Sequence, residues 1–229
     1  MPTSTPLALG LDVYGTLVDL LALRRVLGSL VGDLAETFTI HWRQKQVEYA
    51  FRRGLMQQYA DYNVCTREAL QFTMQELQVD LSERGQALLM EAFASLPPYP
   101  DAPGGLGALR EQGHTLAAFS NGVEESLRAL LGRADLLPLL DDVVSVDPLQ
   151  TYKPAPVVYH TLAARLGKPP EETWVVSGNV WDVIGAKGAG LRAAWVKRRR
   201  DAIYDPWGIP PDLVVSDLTE LAARLAGAG

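Results

Sequence analysis

Four polar clusters stand at the ends of short apolar runs or before helical patterns, and their residue types could do chemistry. Asp12 closes the run Leu7–Val13, within Asp12-Val13-Tyr14-Gly15-Thr16-Leu17. Ser120-Asn121-Gly122 follows Thr115–Phe119, and Lys153-Pro154 precedes a helical pattern. Ser177-Gly178-Asn179 follows Trp174–Val176, with Trp181 and Asp182 just beyond. A carboxylate is ionised at neutral pH and needs no base to act as a nucleophile. A cation such as Lys153 would keep Asp12 ionised in a desolvated pocket. The Ser120 hydroxyl and the backbone N–H groups at a helix start can hold an anion. Each cluster also has a plain reading. Asp12-x-x-Gly makes a turn, Ser120-Asn121 caps a helix, Lys153 is a surface lysine, and Asp182 is a first-turn acid favoured by the helix dipole. Their shared placement, in this order, favours a common site.

The elements that must position them alternate. Leu7–Val13, Thr115–Phe119, Val143–Val146, Trp174–Val176, Ala193–Val196 and Leu213–Val215 read as strands buried on both faces. Helical patterns fall at Val123–Leu131, Val157–Leu166 and Val180–Ala189, and a last helix opens with Asp217 and Glu220 spaced as a capping box. This alternation predicts an α/β fold, a doubly wound, mainly parallel, Rossmann-like sheet. In such a sheet all four clusters share one edge. From Leu17 to Leu96 the alternation stops and only helical patterns appear. They are Leu20–Leu30, Leu34–Arg53 closed by Gly54, Arg67–Val79 capped by Thr66, and Glu83–Ala94 capped by Ser82. The expected division is a core of residues 1–16 and 97–229 with a helical cap of residues 17–96 over the strand ends.

The 229 residues carry a net charge of −6, a poor match to a nucleic-acid backbone. The same charge gives an anionic substrate no long-range attraction, so any anion site must be local. The segment Met1–Gly10 has no cationic stretch before its apolar residues, so no signal peptide is expected. No apolar run approaches the ~20 residues needed to cross a bilayer, so no membrane role is expected. Cys65 is the single cysteine, which excludes an internal disulfide and suits a reducing cytoplasm. It reads as an inert thiol. Lys197-Arg198-Arg199-Arg200 reads as a solvated loop, and His41, His114 and His160 show no metal or triad spacing.

The order Asp-x-Tyr-Gly-Thr-Leu, Ser-Asn-Gly, Tyr-Lys-Pro, Ser-x-Asn-x-x-Asp resembles the L-2-haloacid dehalogenases of the haloacid dehalogenase superfamily. The resemblance covers essentially the whole chain. Trp42-Arg43-Gln44-Lys45-Gln46 is similar to that family's arginine-bearing cap motif, and Ser145-Val146-Asp147-Pro148 is also similar to family members. In the superfamily's phosphatases a second aspartate stands two residues after the nucleophile, beside Mg²⁺. Here that position is Tyr14, with an unperturbed pKa of ~10. The fourth cluster offers Asp182 as its only carboxylate, a weak set for octahedral Mg²⁺. Neither a metal nor another cofactor is expected.

The resemblance implies that Asp12 displaces halide from Cα of a 2-halocarboxylate with inversion, giving an ester that water hydrolyses to a D-2-hydroxy acid. Thr16 reads as a hydroxyl that orients Asp12 or as a plain turn hydroxyl, and the Ser120 hydroxyl with the N–H groups at Ser120-Asn121 reads as the holder of the substrate carboxylate, a role the resemblance also implies for Ser120. Arg43, Asn121 and the edge of Trp181 would cradle the halide. Asp182, with Asn179 and Ser177, would position and activate water, and Tyr159 would contact Lys153 or the nucleophile. Tyr159 also reads as a core residue of an amphipathic helix. Pocket walls would be Tyr14, Gln44, Val47, Tyr62 and Trp181. Val47, Tyr62 and Gly178 depart from residues common in relatives, which bears on substrate size. A homodimer is implied. The rival readings are a Mg²⁺-dependent phosphatase of the same superfamily and a non-catalytic binding module.

Overall fold

In the computed structural model, which describes residues 6–227, six strands form one sheet in the order β3-β2-β1-β4-β5-β6. They are β1 (Ala8–Asp12), β2 (Thr115–Ser120), β3 (Asp142–Ser145), β4 (Thr173–Ser177), β5 (Arg192–Val196) and β6 (Leu213–Val215). Every pairing is parallel. All of β1 and β4 is buried, as a sheet covered on both faces requires. β3 and β6 are the edges, and Val214 of β6 is exposed. The strand order reverses direction about β1, which places a crevice at the carboxyl ends of the central strands. Asp12, Ser120 and Ser177 are the last residues of β1, β2 and β4. Register aligns Asp12 with Phe119, and Leu11 with Val176. The six strands fall where the apolar runs put them, within a residue at each end.

Among the described residues no strand lies between β1 and β2. The chain there makes a single turn, Leu20–Ala22, and helices α1 (Leu23–Val31), α2 (Ala35–Met56), α3 (Tyr62–Glu76) and α4 (Glu83–Phe93). Phe38, Trp42, Cys65, Leu70 and Phe93 join these helices to the same apolar core as the sheet. Ser82 caps α4 as expected, its hydroxyl accepting from the Gly85 N–H. Two boundaries differ from the sequence reading. Asp61, not Thr66, caps α3, its carboxylate accepting from the Asn63 and Val64 N–H groups. Thr66 is buried inside the helix, where its hydroxyl donates to the Tyr62 carbonyl. Gly54 does not end α2. Thr151 and Tyr152 pack beside it, and the helix runs on to a left-handed Gln57.

The remaining helices are α5 (Ala102–Glu111), α6 (Glu124–Arg133), α7 (Pro156–Arg165), α8 (Val180–Gly188) and α9 (Leu218–Ala226). Helix α5 was absent from the sequence reading because Ala-Pro-Gly-Gly-Leu-Gly is a poor helix former. The glycines serve packing: a Cβ at Gly105 would collide with Leu218 of α9. The last helix has its capping residue, since the Asp217 carboxylate accepts from the Glu220 N–H. Glu220 reaches back to the Ser216 N–H. The basic run after β5 is not uniformly solvated. Arg200 is exposed, but Arg198 is half-buried and ion-paired with Asp101. No helix is long and apolar enough to cross a membrane.

Candidate active site

Asp12 ends the central strand and is 5% exposed. Its two carboxylate oxygens have different partners. Oδ2 accepts from the Thr16 hydroxyl at 2.7 Å and from Asn179 Nδ2 at 2.7 Å. Oδ1 meets only Lys153 Nζ, at 3.2 Å. Thr16 is fixed in turn, because its Oγ1 accepts from the Gly178 N–H at 2.8 Å. Gly178 is required there: a Cβ would collide with the Gly15 carbonyl. Asn179 Nδ2 also donates to the Tyr14 carbonyl. Residues of β1, of the turn after it and of the end of β4 thus lock one carboxylate edge and leave the other open.

Lys153 is 1% exposed and sits between two acids. Its ammonium donates to Asp12 Oδ1, to Asp182 Oδ2 at 2.9 Å and to the Phe119 carbonyl at 2.8 Å. It also lies 3.9 Å from the Phe119 ring centroid. Its backbone N–H donates to Asn121 Oδ1 at 2.9 Å. The plain reading of Lys153 as a surface lysine is excluded, and its ion pairs with Asp12 and Asp182 exist together. Asp182 is fully buried, and its other oxygen, Oδ1, accepts from the Tyr159 hydroxyl at 2.9 Å. Burial raises its pKa above the ordinary carboxylate value. Lys153 opposes that rise and the Asp12 charge adds to it. Tyr159 therefore serves Asp182 and makes no hydrogen bond to Lys153 or Asp12, a correction to its expected partner. It is at once the core residue of the plain reading, 0% exposed. Burial and the Asp182 charge raise its pKa well above the ordinary tyrosine value.

Ser120 and Asn121 follow β2 in the same crevice, both buried. The Ser120 hydroxyl accepts from the Gly122 N–H at 3.2 Å, which orients the loop. Ser177 does the same after β4, accepting from the Asn179 N–H at 3.1 Å, and does not touch Asp12. Tyr14 is buried, stacked on Phe93 with centroids 5.0 Å apart and tilted against Tyr62 at 6.0 Å. Burial, then Tyr62, push its pKa well up, so the phenol stays neutral.

Arg43 of α2 approaches from the helical side. Its Nη1 donates to the Tyr62 hydroxyl at 2.7 Å and to Gln46 Oε1 at 2.8 Å. Arg43, Gln44, Gly15, Gly178 and Asn179 share the wall of a cavity of about 340 Å³. Gln44 is exposed at its mouth, whereas Gln46, which the sequence reading passed over, is the buried residue that holds Arg43. Its spacing of three from Arg43 on a helix was the available signal. Val47, half-buried, lies one turn after Arg43 on the same face. Trp181 is half-buried and its ring packs edge-on against Phe51 at 5.3 Å. The other residues without an assigned role have structural partners. His41 pairs with Glu76 on the surface, His160 meets the Ala189 carbonyl, and Cys65 is buried beside the Tyr152 hydroxyl.

The arrangement offers one buried carboxylate with one lightly engaged oxygen, a fixed cation, two donors on the opposite oxygen and a second acid of raised pKa. A divalent ion fits poorly. The two carboxylates that would hold it already share the Lys153 ammonium, and Tyr14 is packed between aromatic rings. A family model for haloacid dehalogenase-like hydrolases matches residues 7–190. The chain is 35% identical over 226 residues to the (S)-2-haloacid dehalogenase of Pseudomonas sp. (strain YL), covering 94% of each. It is 40% identical over 191 residues to (S)-2-haloacid dehalogenase 1 of Pseudomonas sp. (strain CBS-3), covering 82% of each. The structure superposes with a TM-score of 0.91, at 33% identity, on the L-2-haloacid dehalogenase from Xanthobacter autotrophicus with chloropropionic acid covalently bound. That match covers 98% of this chain and all of the other.

Proposed function

The chain belongs to the haloacid dehalogenase-like hydrolase family, and within it we propose an (S)-2-haloacid dehalogenase that converts short L-2-haloalkanoic acids to D-2-hydroxy acids without a metal. The observation that carries this reading is the unequal environment of the Asp12 oxygens. Oδ1, with one contact, is the oxygen with lone pairs to spare. It attacks Cα from the side opposite the halogen; the C–O bond forms as the carbon–halogen bond breaks, and halide leaves with the electron pair. Arg43 and Asn121 are suited to that anion, with Trp181 as the apolar edge of the cradle. The Ser120 hydroxyl and the N–H groups after β2 hold the substrate carboxylate.

Once Oδ1 is esterified, Oδ2 is the ester carbonyl oxygen. Water adds to the Asp12 carboxyl carbon, and the negative charge that develops falls on Oδ2. The Thr16 hydroxyl and Asn179 Nδ2, each 2.7 Å away, already point donors at that oxygen. This is the preorganisation that lowers such barriers most. The water's proton needs an acceptor. Asp182, which burial makes more basic than an ordinary carboxylate, accepts it, with Ser177 ordering the loop around it. The tetrahedral adduct then collapses: the bond from the Asp12 carboxyl carbon to the alkoxide oxygen breaks, the alkoxide takes the proton from Asp182 and leaves as the hydroxy acid, and the remaining proton passes to solvent as the Asp12 carboxylate is restored.

Helices α1–α4, residues 17–96, act as the cap that carries Arg43 and Tyr62 to the strand ends of a core formed by residues 1–16 and 97–229. Residues 1–5, 228 and 229 of that division lie outside the described residues. Tyr14, Gln44, Val47 and Tyr62 form the walls against the substrate's alkyl group. A homodimer in the cytoplasm completes the reading. The test is halide release from L- and D-2-chloropropionate in excess EDTA, with Asp12→Asn beside the parent. Release from the L form alone, lost in the variant, supports the proposal. No release from either, with Mg²⁺-stimulated phosphate release from esters, supports the phosphatase instead.

A further inference from the structure

One member of the basic run after β5 touches the loop of the nucleophile, although the reaction above does not use it. Arg198 Nη2 donates to the Thr16 carbonyl at 2.5 Å, across 182 positions of sequence. Nη1 donates to Asp101 Oδ1 at 2.7 Å, and Asp101 Oδ2 accepts from the Leu218 N–H at the start of α9. The guanidinium lies 4.0 Å from the Tyr99 ring, and Tyr99 donates its N–H to the Leu17 carbonyl. The arginine side chain is 9% exposed, and its Nε is buried without a hydrogen-bond partner among the described residues. Its two Nη groups are held at the expense of the third nitrogen, an arrangement that asks for a reason beyond simple burial.

Thr16 is the residue at which these contacts matter. Its carbonyl is held by Arg198, while its hydroxyl holds Asp12 Oδ2 and receives the Gly178 N–H. We infer that Arg198 is a positioning residue for the nucleophile, acting through Thr16 to fix the Asp12 carboxylate. The inference rests on the reading of Asp12 as the nucleophile. A planar fork can span the Thr16 carbonyl and the Asp101 carboxylate together, which a single ammonium cannot do in the same geometry. Arg198 also lines the cavity that Arg43 and Asn179 share, so it stands beside the site without touching Asp12. The rival role is a structural tie between the end of β5 and helix α5, with no effect on the reaction.

The test uses Arg198→Met, Arg198→Lys and Asp101→Asn in the full chain. Two readouts are taken per folded protein: kcat and KM for L-2-chloropropionate, and amide hydrogen exchange at Gly178. A misplaced nucleophile should lower kcat roughly 10- to 100-fold. KM should stay within about threefold, because no substrate contact is removed. Exchange at Gly178 should quicken about tenfold or more, as its acceptor is loosened, while Phe119 in β2 keeps its parent protection. Arg198→Lys should recover part of the loss and Asp101→Asn should show a smaller one. If Arg198→Met does not fold, the other two variants decide on the same readouts. Parent kcat and parent Gly178 exchange in the folded variants would overturn the inference. A parent enzyme that releases no halide defeats the dehalogenase reading, and the exchange at Gly178 then decides the positioning role alone.

Discussion

Replacing Thr16 by valine removes one oxygen atom and keeps the side-chain shape, so it isolates what that hydroxyl does. The hydroxyl is fully buried, donating to Asp12 Oδ2 at 2.7 Å and accepting from the Gly178 N–H at 2.8 Å. The first is a hydrogen bond to a charged group, for which a net contribution of about 1.5–3 kcal/mol is usual. The second leaves an unpaired buried N–H in the variant, a cost of about 1–3 kcal/mol. Together they predict a loss of roughly 2.5–6 kcal/mol in folding free energy, read from the urea midpoint at constant slope. The catalytic effect should fall mainly on the second step, because Thr16 faces the oxygen on which the hydrolytic oxyanion develops. Loss of one such donor costs about 10²–10³-fold in rate. The ester should therefore accumulate, visible as added mass on the peptide containing Asp12 after rapid acid quench. Thr16→Ser is the control. It keeps both hydrogen bonds, deletes one methyl group and should lose only about 1 kcal/mol. A folded Thr16→Val enzyme with parent kcat, parent stability and no trapped ester would refute the assignment of Thr16 and of the Oδ2 donor pair.

Three further outcomes follow from the same geometry. Lys153→Met should destabilise the fold by about 3–5 kcal/mol, since it strands two buried carboxylates that share one ammonium; urea denaturation measures it, and an unchanged midpoint would contradict the shared pair. Tyr159→Phe removes a hydrogen bond that lowers the Asp182 pKa against the raising effect of burial. With Asp182 required in its ionised form, the acid limb of the pH–rate profile should move to higher pH, and a limb that stays or moves down counts against Asp182 as the base. His114 is buried with Nδ1 accepting from the Leu7 N–H, and desolvation lowers its pKa. The unfolded chain then binds this proton first. The histidine's contribution to stability is present above its unfolded pKa of about 6.5 and is lost as pH falls from there toward the lower folded value, with a slope of at most about 1.4 kcal/mol per pH unit. His114→Asn should flatten that part of the stability profile, measured by urea denaturation across the range.

The sequence by itself determined the sheet, the helical stretch after its first strand and the edge on which the polar clusters gather. These are local signals: an apolar run marks a doubly covered strand, and a residue directly after it lies at the strand's carboxyl end. Asp12, Ser120 and Ser177 needed nothing more to be placed. Helix boundaries were less legible where packing outweighed propensity. Gly105 marks a close approach to α9 inside a helix, and α2 continues through Gly54 to Met56. Tertiary structure alone decided how the site residues divide the two oxygens of Asp12, why Tyr159 serves Asp182, and why Arg198 is not a solvated arginine. Lys153 reaches Asp12 across 141 positions and Arg198 reaches Thr16 across 182. No periodicity or cap encodes contacts of that span; they exist only after parallel strands bring the ends of distant segments within hydrogen-bonding distance, and burial then makes each unpaired polar atom too costly to leave alone.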